Sequence, residues 1–226
     1  MKKIIAIVAI LVSVCNLKAQ RIVEKQIALK SRASIDLKLD FADTIRIVQS
    51  KDNSVRIKAI VSINDNRNND KYELITTENT DYIKVKAKIH DMESIRIPCK
   101  NRKGTNYNSY DGNCLSMDIS YVIEVPIVAN LQIETISGDI IIDNASYPMY
   151  IKSISGFIDL SLSTKANSEI RLETVTGGVY TNHEFSINSD EFKANPGGTD
   201  ARFKLGSGEN RIKLETVSGD IFLRKI

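Results

Sequence analysis

The chain has 226 residues, 42% of them hydrophobic and 26% charged, with 31 basic and 28 acidic side chains. That length suffices for one cored domain or two small ones. Three of the basic residues, Lys2, Lys3 and Lys18, lie in the first nineteen positions, which hold no acid. Without them 28 bases face 28 acids, so there is no basic surplus of the kind that nucleic-acid binding needs to neutralise phosphates.

In chain order, Lys2 and Lys3 precede an apolar run from Ile4 to Val14 and a short polar exit ending at Ala19. This layout predicts a secretory signal peptide over residues 1–19, cut before Gln20, since the run is too short to span a bilayer comfortably. Acylation at Cys15 is the alternative, although Val14 is larger than that chemistry favours. No later segment approaches a membrane span. The remaining cysteines, Cys99 and Cys114, are predicted to pair in an oxidising compartment. Closing a loop of about 15 residues contributes on the order of 3 kcal/mol in the chain-entropy model.

The ordered stretches then alternate with a period of two: Ile35 to Leu39, Val55 to Ile63, Ile83 to Ile89, and Leu115 to Val125 before Pro126. These are half-buried strands, and no comparable window has helical spacing. Between them, NDNRNND (Asn64 to Asp70) reads as a solvated turn, because the Gly and terminal Glu of an EF-hand loop are missing. Lys100 to Asn113 is a polar excursion that carries Tyr107 and Tyr110. Ser189 to Asp200 is a second.

The second half repeats. Leu131 begins LQIETISGDIIID, Tyr150 YIKSISGFIDLSL, Ile170 IRLETVTGGVYTN and Ile212 IKLETVSGDIFLR. The shared glycines are Gly138, Gly156, Gly177 and Gly219, spaced by 18, 21 and 42 residues, so a degenerate unit fits around Ala201 to Gly208. A period near twenty predicts an all-β solenoid, a single-chain parallel β-helix-like roll whose hand is open, with Gly turning each corner. Whether residues 20–114 continue it or fold separately is left open by their lack of Ser-Gly corners. Superposed in chain order, Thr135, Ser153, Thr174 and Thr216 form one column. Glu134, Lys152, Glu173 and Glu215 form another, on the outer face.

These units, with YVIEVP at Tyr121 to Pro126, resemble the bacterial putative-adhesin family of secreted or envelope proteins built from short β-repeats. The resemblance is strongest over 115–226 and extends more weakly back to Ile35; Phe157 and Gly178 depart from it where other units carry Asp139 and Asp220. It implies one repeat domain over 20–226, a place in the periplasm or on the cell surface, and binding to a protein or glycan. It supplies no catalytic residues.

The residues themselves point away from catalysis. In chain order Asp139 and Asp220 stand four rungs apart, about 19 Å, and Glu134 and Glu173 two rungs, about 10 Å, with Lys152 between them. The first spacing is too long for a glycosidase pair; the second is marginal for an inverting one, and the lysine favours both carboxyls staying ionised rather than one acting as acid. His90 and His183 lack a nucleophile context and read as surface or strand-end residues, and no metal-ligand spacing occurs. The expected function is therefore a non-enzymatic exported envelope protein without a cofactor, with Tyr107 and Tyr110 as a candidate partner-binding loop. The alternatives are a periplasmic assembly or signalling component and a polysaccharide-active enzyme on a β-helix. The last strand, Ile221 to Lys225, reads as an uncovered edge that Arg224 and Lys225 guard against aggregation, with pairing to a second copy as the alternative.

Overall fold

The computed structural model describes residues 19–29, 34–79, 82–98, 107–110, 112–127, 129–144, 147–185, 192–195 and 198–226. The predicted leader up to Lys18, Cys15 within it, and Cys99 lie outside these residues. The first half contains β1 (Arg21–Ala28), β2 (Ser34–Lys38), β3 (Phe41–Gln49), β4 (Ser54–Ile63), β5 (Tyr72–Glu78), β6 (Tyr82–Ile89), β7 (Ile97–Pro98), β8 (Tyr107–Tyr110) and β9 (Asn113–Val125). The second contains β10 (Asn130–Ile142), β11 (Met149–Ser155), β12 (Ile158–Leu162), β13 (Ser168–Thr176), β14 (Val179–Thr181), β15 (Phe192–Asn195), β16 (Gly198–Leu205), β17 (Asn210–Ser218) and β18 (Ile221–Lys225). The protein is all-β, as the alternation predicts. The strands join into one large mixed sheet that does not close on itself.

The repeat unit is a rung of two limbs meeting at a corner. First limbs pair in parallel in the order β2, β10, β11, β17, β13. Second limbs follow the same order, as β3, the end of β10, β12, β18 and β14. Alternation sends one set of side chains inward from both limbs, where Leu37, Ile133, Ile151, Leu214 and Leu172 join Ile47, Ile140, Leu160 and Leu223 in one continuous apolar core. Residues 34–49 thus supply a rung although Phe41 and Ala42 stand where later corners have Ser-Gly. Beyond that rung the stack ends in β6 and β5 on one limb and in β9, β4 and β1 on the other.

The rungs do not stack in chain order. The last rung, β17–β18, lies between β11–β12 and β13–β14. The chain-order solenoid expected from the repeat therefore does not describe this arrangement. The cause is the segment read as a degenerate unit at Ala201 to Gly208. Its strand β16 runs antiparallel to β13, with Leu172 opposite Ala201, and β15 folds back on β16. With one side of β13 occupied, the final rung pairs on the other side, against β11. The edge expected at Ile221 to Lys225 is overturned for the same reason, because β18 is hydrogen-bonded to β12 and to β14. It offers no free edge to a second copy; among the described residues β1, β5, β14 and β15 each pair on one side only.

The corners are closely packed. Gly138 and Gly156 have φ of +114° and +118°, a region that L side chains avoid. Each also touches the rung beside it: a Cβ on Gly156 would lie 2.4 Å from the Gly138 carbonyl oxygen, and one on Gly219 2.1 Å from that of Gly156. The hydroxyl column beneath is buried and does link rungs, through carbonyls. Thr135 donates to Leu39 O at 2.7 Å, Thr216 to Gly156 O at 3.4 Å and Thr174 to Gly219 O at 2.9 Å.

Two polar expectations change. The Asn64 to Asp70 turn is not simply solvated. Asn64, Asp65 and Asn66 take positive φ, and Asn64 is buried, donating to Ile95 O at 2.6 Å while accepting from the Ser116 N–H at 3.1 Å. Asn and Asp tolerate that conformation, and here they pin the turn to β9. His90 is half-exposed and bonded to Glu73 at 2.7 Å, whereas His183 is buried beside Phe185, whose ring stacks on Phe203 at 4.3 Å.

Candidate functional site

The outer face of the first limbs is a grid set by the stacking order. The column read as Glu134, Lys152, Glu173, Glu215 is ordered Glu134, Lys152, Glu215, Glu173 in space. Glu134 and Glu173 are thus three rungs apart rather than two. Two glutamates become neighbours, a repulsive arrangement, and Lys213 resolves it by bonding Glu173 at 2.8 Å and Glu215 at 3.1 Å. Lys152 binds Glu215 at 2.9 Å, and the Tyr150 hydroxyl donates to it at 2.9 Å. Burial alone pushes the Glu215 carboxyl up, but the bonds from Lys152, Lys213 and Tyr150 outweigh it and hold the group down at about 2.

A carboxyl depressed on folding stabilises the protein above its unfolded pKa, and that contribution fades as pH falls from about 4.5 toward 2. Glu215→Gln should destabilise the protein at pH 7 by roughly 1–2 kcal/mol after allowance for solvent screening. Thermal melts of both forms should converge as pH approaches 2. A constant difference across pH 2–7 would contradict this account.

A shallow groove of about 450 Å³ crosses this face, lined by Met149, Tyr150, Arg171, Arg202, Arg211 and Lys213 among others. Its cations are largely matched. Arg171 binds Asp200 at 3.0 Å and also Glu173, and Arg211 approaches Glu169 at 3.8 Å. Towards the corner the same face turns apolar, with Ile136, Ile154, Val217 and Val175 exposed in one row across four rungs.

The outer face of the second limbs carries a different feature. Register places Asp159, Phe222 and Tyr180 side by side on β12, β18 and β14. The Tyr180 and Phe222 rings stack with centroids 5.3 Å apart, and Phe157 meets Phe222 edge-on at 6.0 Å. The Arg224 guanidinium lies 5.3 Å from the Phe222 centroid, and its Nε donates to both Asp159 oxygens at 2.7 and 2.8 Å. Tyr180 remains 53% exposed. These partly exposed rings on a sheet face are the candidate interaction surface among the described residues. Tyr180 and Phe222 each sit three residues after a corner glycine, so the repeat alignment carries the signal. Their contact with Arg224 and Asp159 depends on the rung order, which the alignment does not carry.

The carboxylates singled out by the repeat are also relocated. Asp139 and Asp220 are two rungs apart rather than four, roughly 10 Å at the usual strand spacing. Each caps the next corner: Asp139 accepts from the Phe157 N–H at 3.2 Å and Asp220 from the Gly178 N–H at 2.8 Å. Elsewhere, burial chiefly, with the neighbouring Asp118, raises the Asp43 carboxyl, which accepts the Ile119 N–H at 2.8 Å. Tyr107 and Tyr110 lie on β8, where Tyr107 pairs with Ser116 and Tyr110 with Asn113, so their backbone is a hairpin arm; their side chains lie outside the described residues. Among the described residues no His, Cys, Asp or Glu cluster suits a metal ion, and no helix is long and apolar enough to cross a membrane.

No protein-family model matches the sequence, and no curated protein matches it. In structure the chain is similar to a putative cell adhesion protein from Clostridium sporogenes, at 12% identity and TM-score 0.49, over 92% of this chain and all of that one. It is also similar to a putative adhesin from Bacteroides fragilis, at 12% identity and TM-score 0.33, over 92% of this chain and 99% of that one. A putative adhesin from Parabacteroides merdae aligns at 11% identity and TM-score 0.22, over 71% and 63% of the two chains.

Proposed function

We propose that the protein is a non-enzymatic, exported envelope protein, with a leader at 1–19 and one β-repeat domain over 20–226, that binds a surface partner or glycan in the manner of an adhesin. The observation that carries this reading is the aromatic cluster of half-buried Phe157 and Phe222 with exposed Tyr180 on a stack of hydrogen-bonded rungs. Rigid, half-exposed rings give contact area at little conformational cost. The carboxylates that a polysaccharide-cleaving enzyme would need are engaged by corner amides at Asp139 and Asp220.

The test combines location and binding. Protease shaving of intact cells should digest the protein, and a panel of glycans and surface proteins should yield a ligand that the Phe222→Ala/Tyr180→Ala double variant loses. A ligand retained in full by that variant would overturn the reading. A periplasmic assembly component is the second reading, favoured by the apolar row of Ile136, Ile154, Val217 and Val175, which suits a protein partner. Protection until lysis would support it. N-terminal sequencing separates cleavage after Ala19 from acylation at Cys15.

The pairing of Cys99 with Cys114 belongs to the same proposal. It is supported by the register of β7 on β9, which sets Ile97 opposite Cys114 and Pro98 opposite Asn113. A non-reduced digest should release one peptide pair joined through these cysteines, with neither thiol open to alkylation. Free alkylation of both would refute the bond.

A further inference from the structure

We propose that the aromatic edge formed by Tyr180, Phe222 and Arg224 recognises a hexuronate unit of an acidic polysaccharide. The proposal rests on the glycan-binding form of the function above and names its ligand. A pyranose ring has one face rich in C–H bonds, which packs on an aromatic ring, and a rim of hydroxyls that need polar neighbours. Tyr180 and Phe222 supply the aromatic surface, and Tyr180 lies on a strand paired on one side only.

The charge comes from Arg224, whose geometry is already set. Asp159 holds Nε through both carboxylate oxygens, and the Phe222 ring lies 5.3 Å from the guanidinium carbon. Among the described residues neither terminal amino group of Arg224 makes a hydrogen bond, so two donors of a planar fork stay available beside the rings. That fork matches a carboxylate, whereas a neutral sugar offers it no charged partner. Asn182, two residues beyond Tyr180, accepts the Lys225 N–H at its Oδ1 at 2.6 Å, which leaves its amide hydrogens for a hydroxyl. A hexuronate presents both chemistries at once, with the ring face for the aromatics and the C6 carboxylate for Arg224. The groove on the first-limb face fits this ligand less well, since Arg171 engages Asp200 and Glu173 through a terminal amino group and Lys213 is shared between Glu173 and Glu215.

The experiment is calorimetric titration of the purified exported protein with a trimer of galacturonic acid, its methyl ester, and a neutral glucose trimer. The acid should bind at least tenfold more tightly than the ester or the glucose trimer, and more weakly as salt rises. Arg224→Gln should bring the acid to the level of the ester, and Tyr180→Ala should weaken all three. Thermal melts confirm that both variants fold, and the ester comparison needs no variant. Equal affinity for acid and ester overturns the uronate inference while leaving the glycan reading in place. Absence of binding to any of the three also overturns it, and the broader panel then judges the parent reading by itself.

Discussion

Gly156→Ala is expected to lower stability by about 3–5 kcal/mol, in the range that marks a specific structural fault. Two effects combine. The residue holds φ +118°, where a side chain adds strain, and its Cβ would stand 2.4 Å from the Gly138 carbonyl oxygen. That neighbour is backbone, so relief requires the rungs to part at the corner. Such a shift would disturb the bonds from Gly156 N to Ser218 O at 3.2 Å and from Ile140 N to Phe157 O at 2.9 Å. For a chain of this size the melting temperature should fall by roughly 10 °C. Gly112 provides the contrast: it has φ +72°, but a Cβ there would meet nothing within 4 Å, so Gly112→Ala should cost only about 1 kcal/mol. Similar shifts for the two variants would show that corner contact between rungs is unimportant.

Ending the chain at Asp220 should abolish cooperative folding altogether. Ile221 and Leu223 are fully buried, each contributing about 2 kcal/mol of burial. Their loss also uncovers Ile158 and Leu160 on one side and leaves β14 without the strand it pairs with among the described residues. Together these losses are comparable with the whole stability of an ordinary domain, about 5–15 kcal/mol. Circular dichroism and size-exclusion chromatography of the truncated chain should show no cooperative melt and an expanded or aggregated species. A melt within a few degrees of the intact protein would mean that β18 is peripheral after all.

The two variants test different kinds of knowledge. Gly156 is legible as a corner because Ser-Gly recurs between alternating strands, and its conformation follows from the missing Cβ. Its contact with Gly138 depends on which rung lies beside it and comes from the structure. The importance of β18 is not legible in this way. A terminal strand with Arg224 and Lys225 at its end has the composition of a guarded edge, and only its pairing on both sides shows otherwise.

The candidate site divides along the same line. The +3 position after each corner reads Ile141, Asp159, Tyr180 and Phe222 along the chain, so aligning the units is enough to find the two aromatics. In space the order is Ile141, Asp159, Phe222, Tyr180, which sets Asp159 against Arg224 and puts Tyr180 outermost. Tyr107 and Tyr110 stand out in the sequence because they sit in a polar segment with loop composition. Composition does not show that 107–110 pairs with β9.

By itself the sequence determined that this protein is all-β, which side chains of its alternating stretches face the core, and where the Ser-Gly and Thr-Gly units turn. Those properties are local: a period of two and the positive φ of a corner glycine act within one unit. The tertiary structure alone decided which rung lies beside which. Near-identical limbs can pair in register with any of their copies, so local pattern does not choose among them. Occupation of one side of β13 by the antiparallel β16 leaves the other side for the last rung, and that non-local pairing brings Phe222, Tyr180, Arg224 and Asp159 together.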